Sequence, residues 1–152
     1  MTTVTEIHTT QVYQVFVKAT PEQIWEAITN PDFTEKYFHG SRVKSTFEVG
    51  SAYGGWSGDE SQQLIEGEVL ESDPPRRLST SWRALWDPEI AGEPYSRVSW
   101  EIEPQDGGFT SLTVVHDQLE ESLKTAERVS GGWSFILSGL KTYLETGKPL
   151  AG

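Results

Sequence analysis

Between Ser41 and Asp117 the hydrophobic period of this chain is two, and no other feature constrains its fold as tightly. Leu78, Thr80, Trp82, Ala84 and Trp86 alternate with Ser79, Ser81 and Arg83. Val98, Trp100 and Ile102 alternate with Arg97, Ser99, Glu101 and Glu103, and Leu112, Val114 and His116 with Ser111, Thr113 and Val115. Successive strand side chains point to opposite faces, so this pattern describes strands with one buried and one wet face. Repeated across short turns, it describes an antiparallel sheet, since parallel strands need long crossovers and are usually covered on both sides. The spacing predicts strands at about 41–47, 51–57, 62–72, 77–86, 96–104 and 109–117. Glu48-Val49-Gly50, Gly58-Asp59, Asp73-Pro74-Pro75, a loop from Asp87 to Glu93, and Asp106-Gly107-Gly108 punctuate them.

A sheet with one apolar face needs a cover. Ala126, Val129, Trp133, Ile136, Leu137, Leu140 and Leu144 recur at helical spacing, with Ser130, Ser134, Ser138 and Lys141 off the stripe. Gly147-Lys148-Pro149 is a helix stop. Gly131-Gly132 interrupts the pattern. It predicts a helix that starts near Gly132 after a looser lead-in, the alternative being a hinge that leaves room for a ligand.

Upstream of the sheet, residues 7–18 read as a strand. Thr20-Pro21-Glu22-Gln23 reads as a helix start with a capping box, and Ile24, Trp25 and Ile28 share one helical face. Asn30-Pro31 stops that helix and opens a second, from Asp32 to about Phe38, closed by His39-Gly40. The resulting fold class is α+β. A seven-stranded antiparallel sheet curves around a long C-terminal helix, with two short helices after strand 1, as a single domain over 1–152 with its core at about 7–147. A half-closed sheet of this kind leaves space between its concave face and the helix, where small ligands lie.

Composition narrows the function. The chain has 152 residues, a formal net charge of −11 and no cysteine. Disulfides, thiolate metal sites and cysteine nucleophiles are thereby excluded. Clustered Lys and Arg, which nucleic acids and anionic membranes require, are missing, so neither is an expected partner. No apolar run approaches membrane-spanning length, and the polar N-terminus shows no signal-peptide pattern, which predicts a soluble, cytoplasmic protein. The acidic surface reads as solubility charge.

Catalytic and metal motifs fare poorly. His8, His39 and His116 are scattered without the spacing of a zinc site. There is no G-x-S-x-G elbow, and His116 and Asp117 point to opposite faces of one strand. Gly54-Gly55 and Gly58 lack the Lys-Ser or Lys-Thr of a phosphate loop. Asn30, the sole asparagine, precedes proline and is no glycosylation acceptor. Neither cofactor nor metal is expected. His39 reads as a solvated residue near the cavity mouth.

What stands out is six tryptophans. Trp25 and Trp133 read most simply as packing between helices and sheet. Trp82, Trp86 and Trp100 fall on the concave face, and Trp56 joins them unless Gly54-Gly55 shifts the register. Such rings fill a core or wall an aromatic pocket. The polar residues expected on that face are Thr80, His116 and Glu66. His116 there reads either as a ligand's hydrogen-bond partner or acid–base group, or as a core histidine paired with a backbone carbonyl or water. The candidate ligand-binding set is therefore Trp56, Thr80, Trp82, Trp86, Trp100, His116 and Trp133, with Tyr37 from the second short helix. No catalytic residue is assigned, because one histidine without a partner is not a mechanism.

Several segments carry a family resemblance, over about residues 10–147. They are Ala19-Thr20-Pro21-Glu22-Gln23-Ile24-Trp25, Asn30-Pro31 with Tyr37-Phe38, and Gly67-Glu68-Val69-Leu70-Glu71 leading through Asp73-Pro74-Pro75-Arg76-Arg77-Leu78 to Trp82. Leu112-Thr113-Val114-Val115-His116 and Gly132-Trp133 with Leu137, Leu140 and Leu144 complete it. Their order resembles the helix-grip fold of the START/Bet v-like (SRPBCC) superfamily and, within it, the family of activator of heat-shock protein 90 ATPase homologues. The resemblance implies a small helix-grip domain, and the concave aromatic face without a catalytic group predicts that it binds a hydrophobic or aromatic small molecule without catalysis. The resemblance also leaves open a co-chaperone-like or stress-response module with a chaperone or other protein as partner, and a polyketide cyclase-like enzyme using His116, Thr80, Glu66 and Tyr37. It does not extend to the additional N-terminal domain of the eukaryotic activators. A monomer and a homodimer are both compatible with it.

Overall fold

A computed structural model describes residues 8–150. In chain order the elements are β1 (Gln11–Val17), α1 (Pro21–Thr29), α2 (Pro31–Tyr37), β2 (Arg42–Lys44), β3 (Ala52–Trp56) and β4 (Gln63–Asp73). They continue with β5 (Arg77–Ala84), α3 (Pro88–Ala91), β6 (Ser96–Gln105), β7 (Phe109–Asp117), α4 (Leu123–Val129) and α5 (Gly132–Thr146). The seven strands form one sheet in the order β1-β7-β6-β5-β4-β3-β2, every neighbouring pair antiparallel. The expected start of the first strand at Ile7 lies outside the described residues.

The sequence signals work as their chemistry requires. Thr20 Oγ1 accepts the Gln23 N–H at 3.2 Å while Gln23 Oε1 accepts the Thr20 N–H at 2.8 Å, so two orphan donors of α1 are satisfied reciprocally. Asn30 serves two helices. Its N–H donates to Glu26 C=O at the end of α1, and its Oδ1 accepts the Asp32 N–H at the start of α2.

Gly67 lets β4 and β5 close on each other. A Cβ there would stand 1.9 Å from the Ser81 carbonyl oxygen, so only glycine lets β4 and β5 approach this closely. At the same place the Glu68 N–H donates to Ser81 Oγ instead of to a ladder carbonyl. The concave face then carries Leu78, Val98, Trp100, Ile102, Leu112 and Val114, all buried against Trp133, Ile136, Leu137 and Leu140 of α5 and Ile24 and Ile28 of α1.

Four boundaries differ from the sequence reading, the first being β5, which ends at Ala84 and not at Trp86. β2 has three residues, not seven, because Ser45 Oγ takes the Phe47 N–H and Phe47 turns to φ 59°, which carries the chain out of the ladder. The loop after β5 holds a one-turn helix, α3, capped by the Asp87 side chain. The lead-in to the last helix is itself helical: α4 ends at Val129, and Gly131 at φ 81° turns the chain into α5 at Gly132.

Candidate functional site

The centre of the molecule is a set of aromatic rings on facing elements. Trp133 is the second residue of α5. Its ring meets Trp100 of β6 at 5.7 Å, Phe38 at 5.6 Å and Trp82 of β5 at 6.3 Å between centroids. Trp82 continues to Trp86 at 5.9 Å, edge to face. Such offset and edge contacts are the ones that aromatic quadrupoles favour.

His116 sits under these rings with 0% exposure. Its Nδ1 lies 3.1 Å from Trp133 Nε1, and an indole N–H only donates, so Nδ1 accepts. A neutral imidazole then carries its hydrogen on Nε2, which donates to Ser96 Oγ at 2.7 Å. Ser96 Oγ in turn donates to the Trp82 carbonyl at 3.2 Å. One chain of hydrogen bonds thus runs from α5 through β7 and β6 to β5. Burial holds the imidazole pKa down at about 4, partly opposed by the nearby Asp117 carboxylate. The ring is neutral at pH 7 with both nitrogens committed. It is a core histidine, paired with an indole and a hydroxyl rather than with a backbone carbonyl or water.

Beside this network lies a cavity of about 360 Å³ between sheet and α5. Its wall is formed by Phe38, Leu64, Ile65, Trp82, Val129, Trp133 and Ile136, and its mouth by Trp86, His39, Ser41, Gly132 and Arg128. Trp86 is 47% exposed where Trp82 and Trp133 are almost wholly buried. His39, at φ 50°, stacks on Phe135 with centroids 5.6 Å apart. Arg128 Nη1 pairs with Asp87 and Nη2 with Glu89 at 2.8 Å, which ties α4 to α3 across the rim. Glu93 adds to that tie by accepting the Thr125 N–H and hydroxyl at the start of α4.

The candidate residues therefore separate. Trp82, Trp86 and Trp133 line the cavity. Trp100 and His116 stand behind Trp133 and do not reach it. Thr80 lies between Val69 and Val98 in the sheet, fully buried, its Oγ1 without a hydrogen-bond partner and away from the cavity. Tyr37 donates its hydroxyl to the Ala27 carbonyl at 2.7 Å and lines a separate groove of about 340 Å³ with Gly139 and Phe135. Burial raises its phenol pKa well above the ordinary value. Trp56 is turned off the cavity by an irregularity at Gly55/Trp56, and its Nε1 stands 3.0 Å from the place a Gly54 Cβ would take. Glu66, expected on the concave face, pairs instead with Arg83 at 3.0 Å and Tyr95 at 3.1 Å on the outer one, since its neighbour Ile65 is the buried residue.

Sequence reasoning missed Phe38, Leu64, Ile65, Val129, Ile136 and Arg128 as wall or mouth, and Ser96 as the partner of His116. Ser96 had a signal: it shares the inward parity of Val98 and Trp100, where a serine needs a partner. Among the described residues no three of His, Asp and Glu converge as metal ligands. No helix among them is long and apolar enough to cross a membrane.

Comparison with known proteins gives the family and bears on the fold. The model of the family described as activator of Hsp90 ATPase homolog 1-like protein matches residues 18–145. The chain belongs to that family. Among solved structures, this member of the activator of Hsp90 ATPase homolog 1-like family is similar to CalU16 from Micromonospora echinospora, with 24% identity, TM-score 0.71, and 93% of this chain and 77% of that one covered. It is similar to DynU16, of the dynemicin biosynthetic locus, with 25% identity and TM-score 0.74 over 93% of this chain and 49% of that one. An HSP90 activator from Plasmodium falciparum shares 22% identity and TM-score 0.70 over 93% of this chain and 99% of its own. No functionally curated protein matches the sequence. The likenesses confirm the helix-grip fold that the sequence pattern predicted.

Proposed function

We propose that this protein binds a hydrophobic or aromatic small molecule in the cavity between the sheet and α5, and that it does so without catalysing a reaction. The observation that carries the reading is the cavity itself, with a volume of about 360 Å³ and three tryptophans, a phenylalanine and four aliphatic residues around it. That size and lining are those of small-ligand sites. The non-catalytic part rests on His116, whose two nitrogens are both hydrogen-bonded within the core and whose ring does not line the cavity. Thr80 and Tyr37, the other groups a cyclase-like enzyme would call on, stand away from the cavity.

Native mass spectrometry of freshly purified protein is the test. A co-purifying apolar compound, released on denaturation, is expected. A protein that carries nothing, and whose tryptophan emission no apolar ring compound alters, contradicts the reading.

A second reading, a chaperone-interacting module, is supported by the family description. Capture of a chaperone from the same cell, salt-resistant and independent of any bound small molecule, would favour it.

A further inference from the structure

We infer that the cavity selects an uncharged ligand: an aromatic body carrying at most neutral oxygen groups, and no carboxylate or other anionic head. The inference rests on the ligand-binding reading above and narrows it.

The argument is one of charge at the rim. The side chain there that carries a formal positive charge, Arg128, has both terminal nitrogens committed to Asp87 and Glu89. One guanidinium thus faces two carboxylates, in a chain whose formal net charge, these three groups included, is −11. The first turn of α5 also opens at the rim, at Gly132, with no side-chain cap. Its free N–H groups bring at most about half a positive charge. With histidine counted neutral, that does not reverse the sign set by Asp87 and Glu89. Those N–H groups also give a neutral carbonyl or ether oxygen a partner.

Deeper in, the wall offers an anion no cation: the indole N–H of Trp82 is a neutral donor, suited to a carbonyl or hydroxyl oxygen. Trp133 Nε1 is spent on His116 Nδ1, and His116 Nε2 on Ser96. Ser41 at the mouth has its backbone N–H and C=O in use, leaving a hydroxyl. An ionised group brought into such a lining gives up part of its hydration without meeting a countercharge. An uncharged aromatic of the same shape carries no such cost.

The test uses two fluorescent probes that differ by one ionised group: N-phenylnaphthylamine, which is neutral, and its sulfonate, anilinonaphthalene sulfonate. Each is titrated into the intact protein at low salt and pH 8, where an ordinary histidine is uncharged, with quenching of tryptophan emission as the readout. The neutral probe is expected to bind at least about tenfold more tightly than the sulfonate. In the double variant D87N/E89Q, which frees Arg128 while keeping a capping side chain for α3, the sulfonate is expected to gain about threefold to tenfold. Affinity for the neutral probe is expected to stay unchanged. Equal or tighter binding of the sulfonate by the native protein overturns the inference, as does a probe ratio that the double variant leaves unmoved. Failure of both probes to bind has a different meaning: it refutes the cavity as a ligand site, and this inference falls with it. Should the double variant not fold, the native protein's preference between the two probes decides alone.

Discussion

The inner wall and the mouth of the cavity are built from similar residues and held in different ways. Both contain tryptophan, yet Trp133 is 2% exposed and hydrogen-bonded, while Trp86 is 47% exposed and held by one ring edge against Trp82. The inner wall is tied through His116 and Ser96 to three strands, so each member fixes the others. The mouth is tied by ion pairs on partly exposed side chains: Arg128 with Asp87 and Glu89. Exposed pairs of this kind contribute roughly 0 to 1 kcal/mol each. Saturated hydrogen bonding in a dry site makes the inner wall a matter of stability, and the looser mouth is where recognition is free to act.

The largest expected effect tests the inner wall. His116→Phe keeps a ring but strands the Trp133 N–H in the core and takes away the donor that Ser96 Oγ accepts from, leaving Ser96 only its bond to the Trp82 carbonyl. A loss of about 3 to 4 kcal/mol is expected, read as a fall in Tm of roughly 10 °C. A change below about 1 kcal/mol would break the contrast, because the hydrogen-bond chain would then be dispensable.

Acid probes the same histidine from another side. Its folded pKa of about 4 lies below the ordinary value of 6.5. Between those two values the unfolded chain takes up a proton that the folded protein refuses. The stability this group contributes is therefore complete above pH 6.5 and lost as pH falls toward 4. The loss is on the order of 2 to 3 kcal/mol, measured by urea unfolding at pH 7 and pH 4.5. His116→Phe should lose correspondingly less than the native protein over that interval. Equal losses would show that other groups set the acid response.

Ser96→Ala removes one hydroxyl from the chain and leaves His116 Nε2 unpaired. It is expected to cost about 1 to 2 kcal/mol, less than His116→Phe because the Trp133 bond survives. Thermal melts of the two variants side by side check the order.

Trp86→Ala sits at the small end for stability, within about 0.5 kcal/mol of native, since the ring is half in water already. Its effect belongs to binding: affinity for a neutral aromatic probe should fall about fivefold to twentyfold. If stability dropped by several kcal/mol and binding held, the mouth and the inner wall would have exchanged roles.

The sheet was legible in the sequence because one of its faces is buried, so a period of two had to show. Leu78, Val98, Leu112 and their strand-mates lie where the alternation puts them. The stripe from Ala126 to Leu140 faces the core for the same reason. Legibility failed where the chain leaves regular geometry. The irregularity at Gly55/Trp56 turned Trp56 away, the end of β5 at Ala84 carried Trp86 past the sheet to the rim, and Glu66 stands beside the close approach at Gly67. Pairings across the sheet were illegible for another reason. Ser96 and Trp133 meet His116 from distant positions on other elements, and parity alone does not report which inward residues touch.

The central claim is that an aromatic ligand enters between Trp82, Trp86 and Trp133, and the indole N–H signals of the protein's six tryptophans report on it directly. In a ¹⁵N-correlated NMR titration with N-phenylnaphthylamine, the Trp82, Trp86 and Trp133 signals are expected to move together, with Trp100 following weakly from behind Trp133. Trp25 and Trp56 should stay in place. Movement confined to Trp25 or Trp56, or no movement at saturating probe, would contradict the account.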